Sequence, residues 1–145
     1  MIYRHVLFAA DFSEEALKVG ARAKAIAERC GARLSVIHVV EDMNIILGGG
    51  YELLPVLPEL PDETMLRESR IALGKLAERL NIGDAELWVV NAPSTKEGVF
   101  AAVENHGVDL IVVGSHGRHG LSLLLGSTAN AVLHGATCDV LAVRI

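Results

Sequence analysis

The stretch VDLIVVGSHG, residues 108–117, decides the fold class of this chain of 145 residues. Its first six residues form an apolar run of strand length that only Asp109 interrupts, and Gly114 follows directly. Apolar runs without polar alternation are typical of strands buried on both faces, as in a parallel sheet covered by helices. The stretch therefore predicts one strand of a parallel sheet that ends in a glycine-rich turn.

Similar apolar runs occur along the whole chain, at residues 6–10, 34–40, 85–90 and 140–143. Segments with the helical spacing of apolar residues separate them, at about 16–30, 62–80, 94–107 and 127–135. Strict alternation of such strands and helices predicts a doubly wound α/β fold. We expect a single domain over residues 1–145, with five parallel strands in the order 3-2-1-4-5 and helices on both faces.

Polar residues mark the start of two helices. Ser13 is predicted to cap the first helix, with Glu14 and Glu15 in its first turn, where negative charge suits the helix dipole. Ser94 and Glu97 have the spacing of a capping box, in which each side chain satisfies a free amide of the other residue. Both helices are therefore expected to begin just after a strand ends.

Charge and composition exclude several classes of partner. Acidic residues outnumber basic ones by 18 to 13, giving a net charge of −5, whereas proteins that grip nucleic acid carry a basic excess. Aromatic residues make up 4% of the chain, too few for a base-stacking surface. No apolar run approaches the roughly 18 residues of a membrane span, and no secretory signal is evident. With only Cys30 and Cys138, no disulfide scaffold is expected, so we predict a cytoplasmic protein that binds neither nucleic acid nor membranes.

Two loops of the predicted fold meet at the crevice where doubly wound sheets bind ligands, at the carboxyl ends of strands one and four. The first loop carries Asp11, and the second carries Gly114 and Gly117. A carboxylate suits ribose hydroxyls, and glycine amides suit phosphate oxygens. Taken singly, the glycines need only turn the chain, but their joint placement with Asp11 favours a nucleotide.

The segment Gly126-Ser127-Thr128 opens the fourth predicted helix. Its free amides and two hydroxyls could receive a phosphate, although Ser127 alone could equally be a plain helix cap. The glycine spacing matches neither a Walker P-loop nor a Rossmann fingerprint. The segment therefore adds a phosphate site to the predicted crevice without assigning it to a standard motif.

Reactive side chains do not form a recognisable catalytic set. His116 and His119 lie three residues apart, but a metal site needs three or four ligands and no third ligand lies nearby in the sequence. Mg²⁺ or Mn²⁺ bridging nucleotide phosphates fits better than a protein cage. His38 is predicted to be a hydrogen-bonded structural residue, and three histidines are predicted to lie on the surface: His5, His106 and His134. Without a nucleophile elbow or a serine–histidine–acid set, we expect that the protein is not an enzyme.

The connection from Glu41 to Pro61 is far longer than ordinary loops. Three consecutive glycines and three prolines forbid a regular helix there, yet the segment is too apolar for a freely solvated loop. We expect it to fold partly over the crevice or against a neighbouring subunit.

The last strand, residues 139–145, is an edge strand in the expected order. Only Asp139 and Arg144 in it are charged, and no proline protects it. An unprotected edge favours pairing with another chain, and two copies related by a two-fold axis satisfy it symmetrically. We therefore expect a homodimer built on this strand.

Taken together, these stretches resemble the universal stress protein family over essentially the whole chain. The matching stretches are residues 2–13 with Asp-Phe-Ser, the strand end 37–40, the stretch 108–117, and the tail segments 126–133 and 138–143. The resemblance implies a cytoplasmic domain of the adenine-nucleotide alpha-hydrolase-like fold that pairs through its last strand. It also implies that one subclass of the family binds ATP.

The ATP-binding subclass carries the pattern Gly-x2-Gly-x9-Gly-Ser/Thr. Gly114 and Gly117 match its first half, and Gly126 with Ser127 matches its second, but the spacer between Gly117 and Gly126 has eight residues instead of nine. One residue shifts the helix start by up to ~3.5 Å relative to the first two glycines. The chain therefore lies between the ATP-binding subclass and the subclass that lacks nucleotide.

By resemblance, Asp11 faces the ribose, and Val39 and Val113 border the adenine. The phosphates would be contacted by Gly114, Gly117, Gly126, Ser127 and Thr128. Three readings stay open: a nucleotide-binding stress-response homodimer, a protein-interaction module of the same fold without nucleotide, and a small hydrolase or phosphotransferase. The missing catalytic set makes the third the weakest.

Overall fold

The computed structural model describes residues 2–41, 63–115 and 126–145. In chain order, its elements are β1 (His5–Ala9), α1 (Ala16–Cys30), β2 (Arg33–Glu41), α2 (Glu63–Leu80), β3 (Glu86–Ala92), α3 (Thr95–His106), β4 (Leu110–Gly114), α4 (Ser127–Gly135) and β5 (Asp139–Val143). The predicted alternation of strands and helices is confirmed.

The five strands form one sheet in the order β3-β2-β1-β4-β5, and every neighbouring pair is parallel. Within it, Ala9 of β1 lies opposite Ile37 of β2, and Phe8 lies opposite Val112 of β4. The predicted strand order is confirmed. All strands end at one edge, here called the carboxyl edge, and begin at the opposite edge, here called the amino edge.

Successive side chains of each strand point to opposite faces, so the core has two layers. On one face, Val6 and Phe8 of β1 pack against α1 and α2. On the other face, Leu7 of β1 and Ile111 of β4 pack against α3 and α4. Burial of both faces is the reason that these strands lack polar alternation.

The first helix begins later than the sequence predicts. Ser13 is not its cap, because the Ser13 amide and hydroxyl both donate to Oδ1 of Asp11, at 3.0 and 2.6 Å. α1 starts at Ala16 with Glu15 in the cap position, so Glu14 and Glu15 precede the helix. Serine and aspartate side chains make similar local hydrogen bonds in turns and in helix caps. Here Ser13 is part of a turn that the Asp11 carboxylate closes, so it does not cap the helix.

The third helix begins where predicted, but among the described residues only the Ser94 half of the capping box is made. Ser94 Oγ accepts from the Glu97 amide at 3.4 Å and donates to the Glu97 carboxylate at 3.0 Å. At its other end, the Val108 amide still bonds to the Val103 carbonyl at 3.3 Å. β4 therefore begins at Leu110, two residues later than predicted.

Candidate functional site

The crevice between β1 and β4 lies at the carboxyl edge and is lined by both predicted loops. Asp11 and Ser13 come from the loop after β1, Gly114 from the end of β4, and Ile145 from the residues after β5. The rest of the lining is Phe8, Ala9, Ala16 and Val19. The structure thus brings the carboxylate of Asp11 and the backbone of Gly114 together over an apolar surface.

The Asp11 carboxylate is only half used by the protein. Its Oδ1 holds the Ser13 amide and hydroxyl, which fixes the carboxylate in a closed turn. Its Oδ2 accepts no hydrogen bond from the residues that the structure describes. A fixed, half-buried carboxylate with one open oxygen is suited to bind ligand hydroxyl groups.

His38 of β2 contacts the loop on both sides of Asp11. Its Nδ1 lies 2.9 Å from the Ala10 carbonyl oxygen, and because a carbonyl only accepts, Nδ1 carries the proton. The His38 ring also lies against the Phe12 ring, with 4.2 Å between centroids and 30° between planes. The prediction that His38 is a hydrogen-bonded structural residue is confirmed.

The hydrogen-bond ladder between β1 and β2 stops at Ala10. The Ala10 amide donates to the Ile37 carbonyl at 2.8 Å, and the next rung of a parallel ladder would join the Val39 amide to the Ala10 carbonyl. Between these described residues that rung is not made, and the Ala10 carbonyl bonds to His38 instead. The main-chain N–H and C=O of Val39 therefore point toward the end of β1 without a strand partner.

The side chains of Val39 and Val113 lie in the core rather than in the crevice. A Cβ on Gly98 of α3 would lie only 2.6 Å from Val39 Cγ2, so that helix packs directly on Val39. Main-chain groups two residues apart in a β-strand point to the same side. The Ser115 amide donates to the Val143 carbonyl of β5 at 2.8 Å, so the main chain of Val113 also points toward β5. Within the part of the chain that the structure describes, Val39 is the one of the two predicted adenine neighbours whose main-chain groups face β1 without a partner.

Ser115 joins three elements at the carboxyl edge and is only 6% exposed. Besides its bond to β5, its carbonyl accepts from the Gly126 amide at 2.6 Å, and its Oγ accepts from the Ile145 amide at 3.4 Å. These bonds place the start of α4 beside the end of β4. No sequence signal marks this role of Ser115, since its partners are distant in the chain.

Two helices that begin at this edge differ in how their first amides are satisfied. At α3, Ser94 caps the helix and the Glu41 carboxylate accepts from the Thr95 amide at 3.0 Å. At α4, Gly126 occupies the cap position without a side-chain hydrogen bond, and Ser127 and Thr128 are exposed. Among the described residues, no side chain caps the first amides of α4, so they and the positive dipole end of the helix are suited to an anion.

Some predicted features lie outside the described residues. They are Gly117, the histidines His116 and His119, and the long connection after Glu41. The other predicted site residues form two groups at one edge of the sheet. Asp11 and Gly114 line the crevice, and Gly126, Ser127 and Thr128 form the adjoining start of α4.

At the amino edge, polar side chains bond to one another and to the main chain. His5 is 2% exposed, so the prediction that it lies on the surface is wrong. Its Nδ1 bonds to the His106 carbonyl at 3.0 Å, and its Nε2 bonds to Ser35 Oγ at 2.8 Å. Both partners are distant in the chain, so the sequence around His5 could not predict that the ring is buried and hydrogen-bonded. Burial lowers the pKa of His5, because its charged form would lose hydration there.

Asp109 completes this amino-edge network. Its Oδ2 accepts from the Arg4 amide at 2.9 Å, and its Oδ1 accepts from the amides of Arg4 and His5 at 3.2 and 3.0 Å. Both carboxylate oxygens are thus engaged by the protein itself. At the amino edge, both Asp109 oxygens and both His5 ring nitrogens are therefore already bonded to groups of the protein.

Other kinds of site find little support in the described part of the chain. Residues 2–41, 63–115 and 126–145 contain no group of three or more His, Cys, Asp or Glu side chains arranged to hold a metal ion. None of the helices described is long and apolar enough to span a bilayer. Cys30 and Cys138 are free thiols, and burial raises the pKa of Cys138, with a further contribution from Asp139.

Comparison with known proteins identifies close relatives. The model of the universal stress protein family matches residues 2–144. Universal stress protein A homolog 1 of Coxiella burnetii is 41% identical over 143 residues, which cover 99% of this chain and 97% of that protein. Both matches extend over almost the full chain.

Solved structures share the fold. A universal stress protein solved in complex with cAMP has a TM-score of 0.65 and 24% identity, covering 99% of this chain and 98% of that one. The universal stress protein from Archaeoglobus fulgidus in complex with dAMP has a TM-score of 0.69 and 20% identity, covering 98% of both chains. These likenesses confirm the α/β fold with five parallel strands.

Proposed function

This chain belongs to the universal stress protein family, and on that premise we propose that it binds an adenine nucleotide, ATP in particular, between β1 and β4. The observation that carries the proposal is the presence of an open carboxylate oxygen on Asp11 and an uncapped start of α4 at the same edge of the sheet. The relatives solved with cAMP and dAMP support the choice of an adenine nucleotide.

The adenine is proposed to bind along the main chain of Val39. Adenine presents a ring-nitrogen acceptor next to the N6 amino donor. The unpaired N–H and C=O of Val39 are the complementary donor and acceptor, and they lie at the end of β2 beside Ala10. Val113 would border the base from the end of β4 without bonding to it.

The ribose and phosphates follow from the two polar groups of the site. Asp11 Oδ2 is proposed to accept from ribose hydroxyls. The phosphates would meet the Gly114 backbone and the first turn of α4 with Ser127 and Thr128, where the helix dipole favours negative charge. Mg²⁺ or Mn²⁺ would accompany the phosphates, and Gly117 is expected to join them by the family pattern.

The proposed role is nucleotide binding rather than turnover, in a cytoplasmic protein. Two free thiols suit a reducing compartment. The Asp11 carboxylate is already engaged by Ser13 through one oxygen, which suits a holding role. Phosphate release measured alongside binding is expected to stay at the level of the protein-free control.

Isothermal titration of the full chain with ATP and Mg²⁺ tests the proposal. The wild-type protein should reach saturation below millimolar ATP, and Gly114→Val should abolish binding because its side chain fills the space where phosphate approaches the backbone. Gly83→Val is the matched control, since no atom lies within 4 Å of a Cβ built on that glycine. It should bind ATP like the wild type.

A folded wild-type protein that gives no heat with millimolar ATP would contradict the nucleotide proposal. The interaction-module reading would then replace it, and the eight-residue spacer between Gly117 and Gly126 would be the sequence feature that accounts for the loss. Phosphate release above the control would instead favour the hydrolase reading.

We also propose a homodimer through β5, which is an edge strand of the sheet. The Val143 carbonyl accepts from the Ser115 amide, so the main-chain groups of Val143 face β4. Main-chain groups alternate in direction along a strand, so the amides and carbonyls of Val140 and Ala142 point away from the sheet. Two antiparallel copies of β5 would satisfy these groups about a two-fold axis.

Ala142→Pro removes an outward amide without touching the β4–β5 ladder, so light scattering should report a monomer for this variant and a dimer for the wild type. A dimer that is indifferent to this proline, or a wild-type monomer at micromolar concentration, would overturn the dimer proposal.

A further inference from the structure

His38 occupies the acceptor that would otherwise extend the ladder between β1 and β2. We propose that His38 is a positioning residue that holds this ladder open at Ala10, so that the main chain of Val39 stays available and Asp11 stays oriented. The part of this inference that concerns a ligand rests on the proposed function. The part that concerns the ladder stands on the geometry of the protein alone.

Two donors compete for one carbonyl. The Ala10 amide already bonds to Ile37, so a regular parallel ladder would next bring the Val39 amide to the Ala10 carbonyl. The imidazole Nδ1–H of His38 makes that bond instead, at 2.9 Å. The side chain of one residue thus bonds to the acceptor that the main chain of the next residue would use in a regular ladder.

The Val39 amide has no partner among the described residues. Val39 as a whole residue is only 8% exposed, and an N–H without a partner is uncommon in such a setting. Such a group is stabilised when a ligand acceptor reaches it. The opening created by His38 is therefore of a kind that a bound base would fill.

The same imidazole fixes the chain on both sides of Asp11. It binds the carbonyl of Ala10, the residue before, and packs on the ring of Phe12, the residue after. Phe12 is 45% exposed, and its packing on His38 is one of the contacts that hold this loop, together with the Asp11–Ser13 turn. Base recognition by Val39 and ribose recognition by Asp11 are thus linked through one side chain.

Amide hydrogen exchange by NMR, without any ligand, tests the ladder. In His38→Leu the Ala10 carbonyl is released and pairs with the Val39 amide, which should then exchange about ten-fold more slowly, the equivalent of one hydrogen bond. His38→Asn places an amide N–H near the position of Nδ1, so Val39 should exchange as in the wild type. If His38 only stabilised the local structure, its removal would make the Val39 amide exchange faster, which is the opposite of the expected change.

Two internal references accompany these variants. The Ala10 amide bonds to Ile37 in every case and should not change. His134→Leu alters an exposed histidine of α4 and should leave Val39 unaffected. If His38→Leu does not fold, His38→Gln serves in its place, because its amide sits where Nε2 was and cannot replace the Nδ1 donor.

Titration with ATP and with GTP then tests the ligand part. His38→Leu should bind ATP at least about ten-fold more weakly and lose the preference for ATP over GTP, because Val39 no longer presents its main chain. His38→Asn should keep the preference. If the wild type binds no nucleotide, the proposed function fails. The exchange experiment still shows, without ligand, whether His38 keeps the Val39 amide from pairing with the Ala10 carbonyl. Val39 exchange in His38→Leu that is equal to or faster than in the wild type would overturn the inference.

Discussion

The two edges of the sheet contain the same residue types and use them differently. At the amino edge, both oxygens of Asp109 and both ring nitrogens of His5 bind groups of the protein. At the carboxyl edge, Asp11 uses one oxygen and His38 one nitrogen within the described residues. A polar group that the protein leaves unsatisfied at a partly buried position is a candidate ligand contact, because burial without a partner is costly.

The helices repeat this contrast within the carboxyl edge itself. The start of α3 is closed by Ser94 and by the Glu41 carboxylate, whereas no side chain of the described residues caps the start of α4. Both ends attract negative charge through the helix dipole. At α3 the chain supplies that charge, and at α4 a ligand phosphate would supply it.

Replacing His5 should have the largest effect on stability. His5→Ala removes a buried ring and leaves Ser35 and the His106 carbonyl without their partner, so we expect a loss of about 3 kcal/mol in the free energy of unfolding. His38→Ala, at the carboxyl edge, should cost about 1 kcal/mol, because it loses the packing against Phe12 while the Val39 amide replaces Nδ1 as the partner of the Ala10 carbonyl. Urea unfolding of both variants measures the difference, and equal losses would contradict the contrast between the edges.

His5 should also make the stability of the fold depend on pH. The pKa of His5 lies below its ordinary value of 6.5 in the folded protein, mainly through burial and also through the Arg33 cation, with the His106 carbonyl and Glu86 acting in the opposite direction. The unfolded chain therefore binds a proton first as pH falls. Stability should be fully present above about pH 6.5 and decline below it. Melting temperatures from pH 8 to pH 5 should fall less for His5→Asn than for the wild type.

The two carboxylates give the next largest contrast. Asp109→Ala removes the acceptor of the Arg4 and His5 amides and should cost about 2 kcal/mol of stability. Asp11→Ala should cost less than about 1 kcal/mol, since only the Ser13 turn is lost, yet it should abolish ATP binding. Paired urea unfolding and ATP titration measure both properties. An Asp11 variant that binds ATP normally would remove the carboxylate from the site.

The helix starts give the smallest effects. Ser94→Ala should destabilise the protein by about 1 kcal/mol, as expected for loss of a cap. Ser127→Asp should stabilise it by about 0.5 kcal/mol, because the new carboxylate meets the free dipole end of α4, and it should exclude ATP by occupying the phosphate position. Loss of stability in Ser127→Asp would mean that the start of α4 is not open to an anion.

The fold could be read from the sequence because burial on both faces leaves a direct pattern of apolar runs. The candidate site could be read in part, since Asp11, Gly114 and the segment Gly126–Thr128 carry local signals. The burial of His5 could not, because its partners Ser35 and His106 are brought to it only by the fold. The competition between His38 and the Val39 amide likewise depends on strand register, which periodicity alone does not fix.

Ser13 illustrates a different limit. A serine two residues after an aspartate can close a turn or cap a helix with the same atoms, and the sequence does not distinguish the two. The structure shows that Asp11 takes the Ser13 amide and hydroxyl. The outcome matters for function, because it leaves Asp11 with one fixed and one open oxygen.

Amide exchange of the full chain with and without saturating ATP and Mg²⁺ tests whether the carboxyl edge binds the nucleotide. We predict slower exchange at the carboxyl edge, at Val39, at Gly114 and in the first turn of α4, with no change at the amino-edge amides of His5 and Asp109. Exchange that ATP leaves unchanged throughout, or slows at the amino edge instead, would contradict the assignment of the open edge as the nucleotide site.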